Sequence, residues 1–365
     1  MMIEKYTSEA VELLKRLITT PSVSRDETKA ADVMEEAMRS YGYTPERIGN
    51  NLMIKSADWD DSKPTILLNA HIDTVKPVST WTRDPFAPTM EGDRLYGLGA
   101  NDCGGGLVSL LQVFRIVHSS QCTVHNSNLI YLASCEEEVS GVNGIRAVLP
   151  LLPKIDVAIV GEPTGLQPAI AERGLMVIDA IAHGKSGHAA RNEGINAIYE
   201  ALDDLQFIHD YKFERVSPLL GATKMQCTIV NSGTQHNVVP DECKFTIDVR
   251  TNELYTNEEV FEFLKTKLKS DIQARSFHLH SSSLYSPSGD SETVKLFKRK
   301  FAELGLEPFG SPTLSDQALM RFPSFKLGPG KSSRSHSADE FICVSEIRKA
   351  IETYLQLLNA EDMMK

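Results

Sequence analysis

Several features that mark other classes of protein are missing from this 365-residue sequence. The formal net charge is −11 and no basic stripe interrupts it, so a nucleic-acid partner is not expected. No apolar run approaches the roughly 18 residues of a membrane-spanning helix, and the first five residues do not resemble a signal peptide. The six cysteines are scattered without a C-x-x-C pair, which favours reduced thiols in a cytoplasm over a disulfide framework.

The order of the hydrophobic segments predicts an α/β fold. A chain of this length suggests two domains. Short and nearly continuous apolar runs are typical of strands that are covered on both faces, and they lie at 65–70, 128–133, 156–160 and 324–328. Segments with helical spacing lie at 7–18, 27–40, 104–118, 142–150, 291–304 and 339–359. This alternation predicts a mostly parallel or mixed sheet flanked by helices.

The middle of the chain has a different pattern and predicts a second domain inserted into the first. Strands are expected at 174–183, 224–232, 242–250 and 275–285, with helices at 194–210 and 256–269. The order β-α-β-β-α-β is that of a ferredoxin-like α+β unit. We therefore expect one domain formed by 1–173 and 286–365, and an inserted domain at 174–285.

Five segments place histidine or carboxylate side chains just past a predicted strand or in a glycine-rich loop. Ligands of open α/β sheets bind beyond the carboxyl ends of the strands, so these side chains are expected to converge. Each motif alone is common in proteins, but the presence of all five in one chain favours a shared functional site. The segments are His71-Ile72-Asp73, Asp102 after Gly99-Ala100-Asn101, Glu136-Glu137-Glu138, Glu162 in Gly161-Glu162-Pro163, and His336 in Ser335-His336-Ser337.

The chemistry of these side chains favours a site for two divalent metal ions. Imidazole nitrogen and carboxylate oxygen suit zinc or a similar ion. One histidine, one terminal carboxylate and a shared carboxylate per metal leave net positive charge, which can lower the pKa of a bridging water to about 7. Asp73 could hold the His71 imidazole by accepting its other N–H. One glutamate of the triple remains to take a proton from the water. Cys103 and Cys135 adjoin these positions and are expected to pack as small apolar residues.

Together, His-x-Asp, Gly-x-Gly-x-x-Asp, Glu-Glu, Gly-Glu-Pro and the late Gly-Pro-Gly followed by His and Glu resemble the zinc metallopeptidase and deacylase family. The resemblance covers essentially the whole chain. That family includes acetylornithine deacetylase, succinyl-diaminopimelate desuccinylase, aminoacylase and carboxypeptidase G. Residues 81–86 (Trp-Thr-Arg-Asp-Pro-Phe) and 328–330 (Gly-Pro-Gly) look most like the acetylornithine deacetylase branch.

The resemblance implies a zinc-exopeptidase-like catalytic domain and a role for each side chain. One metal would be held by His71 and Glu162, and the other by Glu138 and His336. The same resemblance makes Asp102 the bridge between the metals and Glu137 the general base. Glu136 would then occupy the acidic position before the base, where we expect a solvated turn residue.

The inserted domain resembles the lid and dimerisation domain of the family, which implies a homodimer. His188 resembles a histidine that reaches a neighbouring active site and steadies the oxyanion; the alternative is an ordinary loop histidine. Asn237 and Arg250 resemble lid positions that meet the substrate, although a turn residue and an arginine paired with a nearby acid are the alternatives. Arg173 could bind the carboxylate of the substrate.

These observations predict a cytoplasmic, metal-dependent amidohydrolase acting on small molecules. By resemblance it would remove an acetyl or succinyl group from an N-acyl amino acid such as acyl-ornithine or acyl-citrulline, as in arginine biosynthesis. Metal-bound hydroxide would attack, with Glu137 as the general base. Zinc is the expected metal, and cobalt or manganese fit the same ligands. A dipeptidase or carboxypeptidase would use the same chemistry, and a non-catalytic binding protein that kept the fold is a third interpretation. The usual Asp-Met-Lys-Gly of the family is Asp-Cys-Gly-Gly at 102–105, which leaves the acyl group open.

Overall fold

The structure is a computed structural model that describes residues 2–118, 127–191, 193–285 and 289–358. In these ranges the α-helices are α1 (Met2–Ile18), α2 (Thr28–Ser40), α3 (Gly105–Val117), α4 (Ile145–Val148), α5 (Ala197–Asp210), α6 (Asn257–Lys267), α7 (Glu292–Glu303) and α8 (Val344–Leu357). The first nine strands are β1 (Glu46–Ile48), β2 (Asn51–Lys55), β3 (Thr65–His71), β4 (Thr89–Glu91), β5 (Arg94–Tyr96), β6 (Asn128–Ser134), β7 (Val157–Val160), β8 (Ala169–Glu172) and β9 (Met176–His183). The others are β10 (Gly187–His188), β11 (Lys224–Ser232), β12 (Val238–Val239), β13 (Glu242–Arg250), β14 (Asp271–Ala274), β15 (Ser282–Ser283), β16 (Phe309–Ser311), β17 (Ser324–Lys326) and β18 (Phe341–Cys343).

The chain divides into two compact units. Unit 1 comprises Met1–Ile170, Leu284–Phe309 and Ser315–Lys365, and unit 2 comprises Ala171–Ser283 and Gly310–Leu314. None of the helices in the described ranges is both long enough and apolar enough to cross a membrane.

The central sheet of unit 1 is mixed and flanked by helices, which confirms the predicted fold class. Its strands follow the order β1-β2-β6-β3-β7-β17. The pairs β3–β6, β3–β7 and β7–β17 are parallel, whereas β1–β2 and β2–β6 are antiparallel. Every residue of β3 and of β6 is buried. Burial on both faces explains why these strands are nearly continuous apolar runs in the sequence.

Helices cover both faces of this sheet. The nearly all-apolar helix α3 contacts β3 and β6 on one side and α1 and α8 on the other, so almost its whole surface is buried. Ile145 and Val148 of α4 pack with Leu67 and Ile130 of the sheet in a separate core cluster. Two predicted helices were too long. The segment at 142–150 contains the four-residue α4 and the start of a 3-10 turn at Leu149–Leu151, and the one at 339–359 contains strand β18 before α8.

Unit 2 contains a four-stranded antiparallel sheet in the order β11-β13-β9-β14, with α5 and α6 packed on its buried face. This is the strand order of a ferredoxin-like unit. The strand predicted at 275–285 was wrong as the fourth strand of this sheet, because that strand is β14, which ends at Ala274. The predicted range contains the two-residue strand β15, which pairs with β8 instead. The buried amide of Asn257 donates to the carbonyls of Phe277 and Leu279, so a side chain helps to hold this segment, together with a single backbone bridge between Leu175 and Leu279.

Gly106 in α3 packs directly against the turn that carries Glu162. A Cβ atom at Gly106 would overlap the backbone carbonyl of Gly161. Overpacking of a rigid core costs up to about 3 kcal/mol, so we expect Gly106→Ala to lower the free energy of unfolding by about that amount in urea titrations. At Gly49, an added Cβ meets no atom within 4 Å. Gly49→Ala should lower the free energy of unfolding by only about 1 kcal/mol, the cost of a left-handed backbone conformation for alanine. Equal decreases in the two variants would contradict the close contact at Gly106.

Candidate metal centre

The strand ends of unit 1 bring the predicted ligands to one place. β3 ends at His71, and the turns after β6 and β7 carry the glutamates. Because the carboxyl ends of parallel strands meet at one edge of a sheet, residues far apart in sequence converge there. The turn before α3 and the loop between β17 and β18 reach the same edge. The side chains that meet are His71, Asp102, Glu137, Glu138, Glu162 and His336.

His71 lies in the first of two donor sets. Its Nε2 atom is 3.4 Å from Oδ1 of Asp102 and 3.7 Å from Oε1 of Glu162. Donors at about 2.0–2.1 Å around a tetrahedral zinc ion are roughly 3.4 Å apart, so Asp102 and Glu162 each lie at a suitable distance from His71 to share a cation with it. Donor atoms of His71, Cys103 and Glu162 also lie within 4.8 Å of one another. The His71 side chain is 1% exposed, which fixes this set at the end of a buried strand.

His336 lies in the second donor set. Its Nε2 atom is 2.9 Å from Oε2 of Glu138 and 3.7 Å from Oδ2 of Asp102. Asp102 therefore faces one histidine with each of its two carboxylate oxygens. This is the arrangement that a bridging carboxylate requires, and the donor atoms of Asp102, Glu138 and His336 all lie within 4.8 Å of one another.

Two buried atoms indicate that a cation fits the first set. His71 Nε2 and Glu162 Oε1 are inaccessible to solvent and have no hydrogen-bond partner within the described part of the chain. Buried polar atoms are nearly always paired, and a divalent ion would satisfy both at once. The donors are imidazole nitrogen and carboxylate oxygen, which suit zinc and related ions.

Asp73 acts mainly on the backbone that carries the two glutamates. Its carboxylate accepts hydrogen bonds from the backbone N–H groups of Glu137 (3.1 Å) and Glu138 (3.2 Å) and from the hydroxyl of Ser24 (2.7 Å). The His71 Nδ1 atom lies 2.8 Å from the Asp73 carbonyl oxygen but 3.6 Å from the carboxylate. The backbone of Asp73 therefore holds the imidazole more closely than the side chain that we expected to do so.

The electrostatics of the centre show a deficit of positive charge. Burial and the nearby carboxylates raise the pKa of Glu137 well above its usual range and that of Glu162 to about 8, although His71 opposes both shifts. Burial alone would lower the pKa of His71, but Cys103 and Asp102 raise it well above normal. The hydrogen bond to Glu138 raises the pKa of His336 to about 9. Divalent cations would supply the charge that these groups lack.

Two further acidic residues at the centre escaped the sequence prediction. Asp316 is 3% exposed, accepts a 2.5 Å hydrogen bond from Ser134, and has a pKa raised to about 6 by burial. Glu340 is 2% exposed and accepts hydrogen bonds from backbone N–H groups in the loop of Asp102. The late Gly-Pro-Gly…His…Glu pattern contains Glu340, but a pattern does not reveal which backbone groups a carboxylate binds.

Three neighbours of the ligands are also buried. The expectation of a solvated Glu136 was wrong, because its carboxylate accepts hydrogen bonds from the backbone N–H and the side-chain amide of Asn143, and the residue is 6% exposed. Cys103 and Cys135 are each 1% exposed, as expected for small apolar residues. Burial raises the pKa of both thiols, to about 12 for Cys135.

The four predicted substrate-contacting residues belong to unit 2, whereas the ligand cluster lies in unit 1. His188 is paired with Val238 in a two-stranded ribbon, β10–β12, and Asn237 accepts a hydrogen bond from Ala189 in the same ribbon. Arg250 donates two hydrogen bonds to Asp248. The guanidinium of Arg173 donates to the backbone carbonyls of Leu220 and Ala222. The structure thus brings His188 and Asn237 together and gives both arginines partners inside unit 2.

Comparison with known proteins places the chain in a family. Residues 67–360 match the model of Peptidase family M20/M25/M40. The chain is 28% identical to acetylornithine deacetylase from Proteus mirabilis, with 95% of each protein covered. It is 24% identical to succinyl-diaminopimelate desuccinylase from Pelagibacter ubique, covering 96% of this chain and 98% of that protein.

Solved structures agree in fold over nearly the whole chain. Aminopeptidase PepT from Bacillus cereus superposes with a TM-score of 0.77 at 18% identity, covering 98% of this chain and 99% of that one. A protein from Bacillus subtilis described as a dinuclear metal binding peptidase of the M20 family gives a TM-score of 0.73 at 16% identity, with 97% and 98% covered. Since the family model matches most of the sequence, the chain belongs to Peptidase family M20/M25/M40 and is a hydrolase.

Proposed function

We propose that this hydrolase removes an acyl group, acetyl or succinyl, from the α-amino group of an amino acid such as ornithine or citrulline, using two divalent metal ions with zinc as the first choice. The main support for this proposal is the position of Asp102, whose two carboxylate oxygens face two separate histidine-containing donor sets. The similarity to acetylornithine deacetylase along 95% of both chains supports the choice of substrate.

The ligands follow from the two donor sets. His71 and Glu162 would hold one ion, Glu138 and His336 the other, and Asp102 both. The metal pair supplies Lewis acidity, which polarises an amide carbonyl and makes water more acidic.

Glu137 is the best placed general base. Its Oε2 atom lies 3.9 Å from His71 Nε2, beside the donor sets, and its backbone is fixed by Asp73. Burial and the neighbouring acids raise the pKa of Glu137, and bound cations would oppose that shift and favour the carboxylate form. In that form Glu137 would take a proton from the attacking water and pass it to the leaving amine. Asp73 supports this step by orienting the turn that carries both glutamates.

His188 is the candidate for stabilising the oxyanion. Its Nδ1 atom accepts a hydrogen bond from the backbone N–H of Ala190 (3.2 Å), so the neutral ring carries its proton on Nε2. The side chain is exposed and free to donate this proton in a hydrogen bond to a substrate oxygen. Asn237, on the paired strand of the ribbon, is a candidate for substrate contact. To bind the substrate, Arg250 and Arg173 would have to release the groups to which they now donate hydrogen bonds.

A homodimer through unit 2 has physical support. The outward side of α5 exposes Ile198, Tyr199 and Leu202, and the sheet edge formed by β11 exposes Ile229 and Val230, each at least 39% accessible. An apolar helix face beside an open strand edge is suited to pairing with a second copy.

Variants of the adjacent glutamates test the mechanism. We expect Glu137→Ala to keep its metal while kcat falls by about 10²–10⁴, the usual contribution of a general base. Glu138→Ala is the matched control, because it removes a ligand and should lower the metal content. Metal analysis and steady-state kinetics measure both effects. Wild-type turnover in Glu137→Ala would refute its assignment as the base.

A substrate comparison tests the reaction class. Purified protein would be assayed with N-acetyl and N-succinyl derivatives of ornithine, citrulline and diaminopimelate, in parallel with dipeptides and tripeptides. We expect kcat/KM for at least one acylated amino acid to exceed that for every peptide by 10-fold or more, on the order of the discrimination that one or two pocket contacts supply. Faster cleavage of peptides would instead assign the chain to the peptidases, whose fold it shares.

A further inference from the structure

Asn101, the residue before Asp102, makes hydrogen bonds that tie two loops together. Its side chain is completely buried. Its amide nitrogen donates to the carbonyl of Lys331 (3.1 Å) and to the hydroxyl of Ser335 (3.3 Å), while its amide oxygen accepts from the Lys331 N–H (3.0 Å). The two hydrogen bonds with the backbone of Lys331 resemble the pair that two residues exchange in an antiparallel sheet. The segment that it holds, 331–335, leads directly to His336.

Glu340 makes the reciprocal connection. It lies four residues after His336, and its carboxylate accepts from the backbone N–H groups of Asn101 (2.7 Å), Asp102 (2.9 Å) and Gly99 (3.2 Å). Each loop therefore provides one buried side chain that binds the backbone of the other. We call Asn101 and Glu340, with the backbone groups that they bind, the loop clamp.

The loop clamp is tightly packed. A Cβ atom on Gly330 would overlap the amide oxygen of Asn101, so no larger residue fits beside it without displacement. Gly330 also has a positive φ of 79°, a conformation that favours glycine.

The two donor sets depend on the clamp to different degrees. His71 is at the end of a buried strand and its side chain is 1% exposed, whereas the His336 side chain is 54% exposed on a loop with a positive φ of 58°. Packing fixes His71, but little packing fixes His336. The position of the His336 backbone must therefore come from the hydrogen bonds of its loop.

We propose that Asn101 is a positioning residue that locks the His336 loop to the Asp102 loop and so sets the affinity of the metal ion held by Asp102, Glu138 and His336. The proposal rests on the two-metal centre of the proposed function. The ion held by His71, Asp102 and Glu162 depends less on this contact, because its other two ligands follow strands β3 and β7.

The test is a titration of the metal-free full-length protein with Co²⁺, followed by calorimetry and visible absorption. The wild type should bind two ions. In Asn101→Ala one of the two ions should bind 10- to 100-fold less tightly, the usual effect of losing a group that orients a ligand, while the affinity and spectrum of the other ion change much less. Asn101→Ser, whose hydroxyl is too short to reach both groups of Lys331, should behave in the same way and serves if the alanine variant fails to fold.

Asn128 provides a matched control. It is 1% exposed, and its side chain exchanges the same pair of hydrogen bonds with the backbone of Asp60, at 3.0 and 2.8 Å. It begins strand β6, at the end of the strand opposite to the glutamates. Asn128→Ala should therefore reduce thermal stability to a similar extent while leaving both Co²⁺ affinities at the wild-type value.

The possible failures are distinguishable. Two ions bound with wild-type affinities in Asn101→Ala would overturn the proposed role of Asn101 and leave the proposed function standing. Equal weakening of both ions, or the same loss in Asn128→Ala, would also overturn it, since either result indicates a general effect on folding. Failure of the wild type itself to bind Co²⁺ would overturn both proposals.

Discussion

The mutual repulsion of buried carboxylates is the constraint on which the site depends. Asp102, Glu137, Glu138 and Glu162 meet around two histidines, and burial makes every negative charge there more costly. Without added positive charge this repulsion favours uptake of protons, in keeping with the raised pKa values of Glu137 and Glu162. A pair of divalent cations relieves this repulsion, and the same charge makes water acidic enough to be used as a nucleophile. The same cations would therefore relieve the repulsion between the carboxylates and activate the water.

The fold holds these groups together against their repulsion by fixing the backbone behind them. His71 ends a strand that is buried along its whole length, and the Asp73 carboxylate binds the N–H groups of the glutamate turn. The reciprocal bonds of Asn101 and Glu340 hold the remaining two loops. Each support is a buried polar group with its partners satisfied, and such groups favour one arrangement because the alternatives leave them unpaired.

Much of this organisation could be predicted from the sequence, since it follows from local patterns. Continuous apolar runs marked the buried strands, and the first polar residue after each run marked the site, as at His71 and Glu162. Residues whose role depends on a distant partner could not be found in this way. Asn101 lies 230 positions from Lys331, and Asp316 lies 182 positions from Ser134. Glu136 was expected to be solvated because the sequence does not reveal the turn that brings Asn143 into hydrogen-bond contact with it. The fourth strand of unit 2 was also misplaced, since it ends at Ala274 and the later segment, whose composition favours a strand, is contacted by the side chain of Asn257 from 20 positions away.

The most direct measurement of the central claim is anomalous diffraction from crystals grown with Zn²⁺. The account predicts two peaks per chain in the cage, with one oxygen of Asp102 bound to each ion, His71 and Glu162 on the first, and Glu138 and His336 on the second. A cage without anomalous density, with these side chains bound to one another instead, would contradict it.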